Sequence, residues 1–200
     1  MTKDDLIPYA EYERVRDSFR QRIIALKRRR RISVGEKITL LFENRETIQF
    51  QIQEMIRTER IVDDAKVQDE LDVYNAQLPG EGELSATLFI EITESERIKE
   101  EMDAFQGLDR GEKVALEAGP HRIFGGFEGG HSKEDKISAV HFVRFRPTGE
   151  FLGELRRRGG PLSVVVAHPN YRARAPVPEA MRQEWLQDLG LAGAALSRPG

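Results

Sequence analysis

Four histidines are the residues best suited to do chemistry in this sequence: His121, His131, His141 and His168. Neutral imidazole ligates zinc, iron, copper and nickel, and it titrates close enough to neutrality to move protons. Glu128 and His131 have the Glu-x-x-His spacing that lets a helix present both ligands on one face. The residues between them are Gly129 and Gly130, which argues against a helix, and neither a His-Glu-x-x-His nor a second Glu-x-x-His occurs. A tight metal site is therefore not expected. The alternative reading, a mononuclear metalloprotein or metalloenzyme, would draw its ligands from His121, Glu128, His131 and His141, with His168 as a further histidine. His141 shares an alternating face with Ile137, Ala139, Val143 and Phe145, so it reads as a hydrogen-bonded histidine at least half buried. His168 ends a strand pattern just before Pro169, where a turn is the plainer account.

Other chemistries are excluded or weakly signalled. There is no cysteine, which removes disulfides, thiolate zinc sites, Cys-ligated iron–sulfur clusters and cysteine nucleophiles. No Gly-x-Ser-x-Gly elbow presents a hydroxyl nucleophile. The stretch from Gly119 to His131 is glycine-rich enough to cradle a phosphate, but it matches neither Gly-x-Gly-x-x-Gly nor a phosphate-binding loop closed by Gly-Lys-Ser/Thr. A hairpin loop explains it. Two basic runs, Lys27 to Arg31 and Arg156 to Arg158, raise an RNA- or nucleotide-binding alternative. The 31 Lys and Arg are outnumbered by 34 Asp and Glu, and neither run is interleaved with aromatics for base stacking, so nucleic acid is not the expected partner.

The remaining polar pair lies in a dense helical segment, Glu46 to about Ile61. At about 100° per residue, Ile48, Ile52, Met55 and Ile56 fall on one face. Phe50, Arg57 and Ile61 fall opposite, with Glu54 beside them. A surface helix needs only one apolar stripe. Two predict a sandwiched helix, with one face on a sheet and the other on the first helix or a partner subunit. Glu54 and Arg57, three apart, are expected to meet on the second face, as a structural ion pair or as part of a ligand site. Glu54, Arg57, His141, Arg144 and His168 are the ligand-binding candidates.

These residues need elements to hold them. Tyr12, Val15, Phe19, Ile23 and Leu26 make the stripe of a first helix from about Pro8 to Arg31, whose last turn is basic, as the helix dipole favours. A strand follows over Ile38 to Phe42. A third helix is capped at Asp63-Asp64 and ended by Pro79-Gly80. Leu84 to Thr93 alternates cleanly and predicts a strand with one buried face. Thr93-Glu94-Ser95-Glu96 resembles a capping box opening a helix that carries Ile98, Met102 and Phe105. Strands are then expected at Lys113 to Glu117, Ile137 to Arg146 and Leu162 to His168, and a last helix from Pro178 with Met181, Trp185 and Leu189. Helices cluster early and strands late. That order fits an α+β fold with about five helices on a mixed or mostly antiparallel sheet, a single domain over 1–190 with a flexible tail over 191–200. No apolar run approaches the ~20 residues of a membrane span, and no apolar segment follows Met1 to Asp5, so neither a membrane nor a secretory signal is expected and the cytoplasm is the simplest address.

Five segments together resemble an uncharacterised bacterial family. They are Glu43 to Arg60, Tyr74-Asn75-Ala76-Gln77-Leu78-Pro79, Ala86-Thr87-Leu88-Phe89-Ile90-Glu91, Val140-His141-Phe142-Val143-Arg144-Phe145 and His168-Pro169-Asn170-Tyr171. The family is domain of unknown function 3501, and the resemblance runs from about Leu6 to Leu189. It implies no assigned activity and no catalytic residues. Members are often encoded beside rubrerythrin-like and iron–sulfur oxidoreductase proteins, which implies an accessory role in peroxide defence or electron transfer and a redox protein as possible partner. Taken with the absence of a catalytic constellation, the sequence predicts a non-catalytic binding or accessory protein, a homo-oligomer, with no cofactor.

Overall fold

The first helix, α1 (Tyr9–Arg30), passes into the first strand, β1 (Arg31–Val34), without a loop. The structure is a computed structural model that describes residues 1–93, 95–129 and 137–192. Gly35, at φ 71°, turns the chain into β2 (Ile38–Glu43). Asn44 then caps α2 (Arg45–Glu59): its side chain accepts from the Thr47 amide at 3.0 Å, and the Thr47 hydroxyl answers the Asn44 amide at 2.9 Å. Asp63 caps α3 (Asp64–Asn75) through the amides of Ala65 and Lys66. After β3 (Leu84–Ile90) and the short α4 (Ile98–Asp103), the chain forms β4 (Val114–Ala118), β5 (His121–Phe124), β6 (Gly126–Phe127) and β7 (Val140–Phe145). The last elements are α5 (Gly149–Arg156), β8 (Leu162–His168), β9 (Tyr171–Pro176) and α6 (Glu179–Asp188). The helix expected after Thr93 starts later, as a 3₁₀ turn over Ser95–Arg97 leading into α4. Glu94 of the expected capping box lies outside the described residues, as do His131 and the tail beyond residue 192.

The fold is α+β, with its strands in two antiparallel sheets ordered β1-β2-β3-β7-β6 and β5-β4-β8-β9. The chain crosses between sheets at Gly125, where a Cβ would stand 2.4 Å from Val143 Cγ1, so only glycine fits. Both sheets feed one apolar core. Leu40, Phe42, Leu88 and Phe145 meet Leu116, Val164 and Val166, and α6 adds Trp185, whose ring lies 4.6 Å from that of Phe42. No helix among the described residues is long and apolar enough to cross a membrane.

Two expectations are corrected by what covers the larger sheet. β3 is buried on both faces, and so is β2, because α1, α2 and α3 lie over the outer side. The α2 helix is sandwiched between helices. Ile48, Ile52 and Ile56 pack on Leu71 of α3, while Phe50 meets Phe19 of α1 at 6.0 Å between ring centroids. Ile61 joins the first group rather than the opposite face, because the helix ends at Glu59. Arg60 is left-handed (φ 52°), and the Ile61 amide returns to the Ile56 carbonyl at 2.9 Å, swinging the side chain inward.

A candidate ligand groove on the outer face of the large sheet

Alternation along β2, β3 and β7 sends Leu40, Phe42, Ala86, Leu88, His141 and Val143 inward. The opposite face carries three cross-strand rows: Thr39, Phe89 and Val140; Leu41, Thr87 and Phe142; Glu43, Ser85 and Arg144. Between this face and the helices runs a groove of about 460 Å³. Its floor is Leu41, Glu43 and Thr87, and its walls include Gln51 of α2, Tyr74 of α3 and Gln77 beyond it. Val73, Phe89, Val140 and Phe142 make the apolar rim, and Lys27 from the last turn of α1 also lines the groove. Val73 is 62% exposed and Val140 37%, so the rim is open to solvent.

Glu43 is the feature that sets this groove apart. Its side chain is 2% exposed. One carboxylate oxygen, Oε1, accepts from the Thr87 hydroxyl at 2.8 Å and from Gln51 Nε2 at 3.2 Å. The other, Oε2, is buried with no hydrogen-bond partner among the described residues, and so is Gln77 Oε1. Buried carboxylates are ordinarily paired, because an unanswered charge is costly. The arginine in register with Glu43 does not answer it. Arg144 bonds Glu128 at 3.1 Å, Glu83 at 3.2 Å, the Leu78 carbonyl at 2.7 Å and the Ala76 carbonyl. Arg30 reaches only the Glu43 backbone carbonyl, at 3.2 Å. Burial pushes the nearby Tyr74 phenol up, with Glu70 and Glu59 adding to the shift. The groove thus offers two acceptor oxygens, one on its floor and one on its wall, that no donor among the described residues answers.

The residues singled out from sequence have other duties. Glu54 and Arg57 do not pair with each other; both reach across to α1. Glu54 accepts from Arg16 at 2.8 and 2.7 Å and from the Tyr12 hydroxyl at 2.6 Å, while Arg57 Nε lies 2.8 Å from Glu13. The Arg16 guanidinium, with help from Tyr12, holds the Glu54 carboxyl below its ordinary range. His141 is 1% exposed, and its Nε2 lies 2.8 Å from the Ser138 carbonyl. His168 is 2% exposed; its Nε2 meets the Gln106 carbonyl at 2.9 Å and its Nδ1 accepts from the Asn170 amide at 3.3 Å. The His168-to-Tyr171 segment is a clamp. Asn170 Nδ2 holds the Ala104 carbonyl at 3.0 Å, and the Tyr171 hydroxyl donates to the Val34 carbonyl at 2.7 Å and accepts from the Lys37 amide at 3.1 Å. That clamp joins the small sheet to the β1–β2 turn.

The histidine and basic-run readings find no gathered site. His121 is half-exposed on β5, Glu128 serves Arg144, and His131 lies outside the described residues. Among the described residues, no three His, Asp or Glu side chains gather as a metal-ligand group. In the first basic run, Arg29 and Arg30 bind Glu184, and Arg31 binds Glu91. The glycine-rich stretch is largely strand, β5 and β6, rather than one loop, because Gly125 is a packing requirement at the sheet crossing.

Sequence reasoning placed Glu43 at a strand boundary and so missed it. The available signal was its parity: a charged residue in phase with Thr39 and Leu41 on a strand where Ile38, Leu40 and Phe42 already supply the core. Four of the five segments that carry the family resemblance place a residue in the groove, through Glu43, Gln77, Thr87 and Phe142.

An α+β protein with two antiparallel sheets and a polar-floored groove is the class these features define. The chain belongs to the family described as "Protein of unknown function (DUF3501)", whose model matches residues 1–189. It is similar to a novel protein of unknown function from Burkholderia pseudomallei K96243, whose crystal structure was determined at 1.90 Å. The two are 32% identical and superpose with a TM-score of 0.86, covering 94% of this chain and 98% of the other. No curated protein matches the chain.

Proposed function

We propose that this is a binding protein that takes a small ligand into the outer-face groove, with Glu43 as its anchor. The observation that carries the reading is the buried, unpartnered Glu43 Oε2 at the floor of an open groove. A group that donates hydrogen bonds, an ammonium above all, supplies what the floor lacks, and a charge-assisted bond in a sheltered site is among the stronger polar contacts. The groove's size falls within the range of small-molecule sites, and its apolar rim suits a ligand with a hydrocarbon part. Such a role accords with the accessory function that the family resemblance implies, beside rubrerythrin-like and iron–sulfur oxidoreductase proteins. The test is a thermal-shift and NMR titration with isoamylamine. Binding should raise the melting temperature and move the Thr87 and Gln77 resonances in the wild type, and both effects should vanish in Glu43→Gln. Equal responses in the two proteins would place the ligand elsewhere.

A further inference from the structure

The groove carries a second charge that Glu43 does not use. Lys27 lines the same groove from the last turn of α1. It is half-buried and makes no ion pair among the described residues. Its ammonium rests over the Phe50 ring, 5.5 Å from the centroid. That contact is a modest cation–π interaction at a partly exposed site, and the lysine stem is long and flexible. A carboxylate with one unanswered oxygen and an ammonium without an anion therefore share one groove of about 460 Å³ without neutralising each other. Either charge alone would disfavour part of a singly charged ligand. A purely cationic molecule suits the floor and is repelled by Lys27, and a purely anionic one meets the reverse.

Resting on the reading of Glu43 as the anchor, we propose that the ligand is a small zwitterion with an apolar side group, a free α-amino acid or a close analogue. Its ammonium bonds Glu43 Oε2 on the floor and Gln77 Oε1 on the wall. Its carboxylate draws the Lys27 ammonium off Phe50. Its side group lies along Val73, Phe89 and Val140. Each of the three parts answers a feature that the fold leaves open: two acceptor oxygens, one unpaired cation and an exposed apolar rim.

The experiment compares leucine with the two molecules that each lack one charged group, isoamylamine and isocaproate, by isothermal titration and NMR. The expected order is leucine at least tenfold tighter than isoamylamine, with isocaproate weakest. Lys27→Met should abolish the advantage of leucine over isoamylamine while leaving isoamylamine binding in place, and Lys27→Arg should retain most of the advantage. Unchanged melting temperatures for the Lys27 variants separate a ligand contact from a folding role. If isoamylamine binds as tightly as leucine, or if Lys27→Met weakens both equally, the zwitterion proposal is overturned and the Glu43 anchor stands. If none of the three binds the wild type at millimolar concentration, both the anchor and the zwitterion are overturned.

Discussion

Arg30 and Glu43 are two buried charges that meet at the end of β2, and the fold treats them in opposite ways. Arg30 is 0% exposed and donates to the Phe42 carbonyl at 2.8 Å, the Glu43 carbonyl at 3.2 Å, Glu184 at 3.0 Å and Asp188 at 3.3 Å and again through Nη2. Every nitrogen of its guanidinium is used. Glu43 is nearly as deep, yet one of its two oxygens is left without a donor. Burial alone therefore does not mark a functional charge, since structural ion pairs are buried too. What separates them is satisfaction. A charge whose bonding capacity is filled by its own chain ties elements together, here α1, β2 and α6, whereas one left with spare capacity beside an open groove is a cost that a ligand can remove.

The largest effect that would sharpen this contrast is at the satisfied charge. Arg30→Met should destabilise the protein by about 3–5 kcal/mol, because it strands Asp188, whose carboxylate burial already disfavours, and leaves Glu184 to Arg29 alone. Chemical denaturation measures this directly. A loss under about 1 kcal/mol would mean that water reaches those carboxylates, and the distinction drawn from Arg30 would collapse. Next is a neutral group whose hydrogen-bonding capacity is likewise filled. Tyr171→Phe removes the hydroxyl that bridges Val34 and Lys37 and should cost about 1–2 kcal/mol, with faster amide exchange in the β1–β2 turn. No change in exchange there would show that the clamp does not hold the turn.

Glu43→Gln should go the other way. Removing an unanswered buried charge while keeping the shape should stabilise the unliganded protein, on the order of 1 kcal/mol, as is common when a site kept for function is made neutral. A destabilisation of that size or more would show that the Glu43 carboxylate is a structural member of its Thr87 and Gln51 bonds, and the groove would lose its anchor.

How far the sequence shows these things depends on what each signal reports. Hydrophobic period identifies which face of an element is covered, so α1, β8 and α6 are legible within a residue or two, and α+β follows from their order. Period cannot show a strand such as β9, where Arg172 and Arg174 alternate with alanines too small to give a strong pattern. Nor can it show a strand that begins where a helix ends, as β1 does. It also misleads for β3. Alternation implies one wet face, whereas here helices cover a second face whose side chains are polar or mixed. The groove is built on that face. Glu54 and Arg57 illustrate the same limit for ion pairs: spacing along α2 shows that they are near each other, but only packing reveals that α1 supplies better-placed partners. His141 and His168 looked like candidate ligands because histidine can be one, and the main-chain carbonyls they bond are invisible to any motif.

Glu54 gives the smallest predicted effect and the one most dependent on pH. It is intermediate between the two charges compared above, satisfied by Arg16 and Tyr12 but about a quarter exposed, with side-chain exposures of 26% for Arg16 and 24% for Glu54. Solvent screening at that exposure limits the loss in Glu54→Gln to about 0.5–1 kcal/mol at pH 7. Arg16 above all, then Tyr12, holds the folded carboxyl below its ordinary value of 4.5. A carboxyl depressed on folding contributes stability that is present above the unfolded value and disappears as the pH falls through the folded one. The stability gap between wild type and Glu54→Gln should therefore stay constant from neutral pH down to about 4.5 and then close with further acid. Asp188, whose carboxyl burial raises on folding, has the opposite pH dependence, but it is present in both proteins and cancels in the difference. Urea denaturation of the two proteins across pH 7 to 3 measures the gap. A gap that widened in acid would mean that Glu54 is protonated more readily in the folded state, and the Arg16–Glu54–Tyr12 cluster could not then be what fastens α1 to α2.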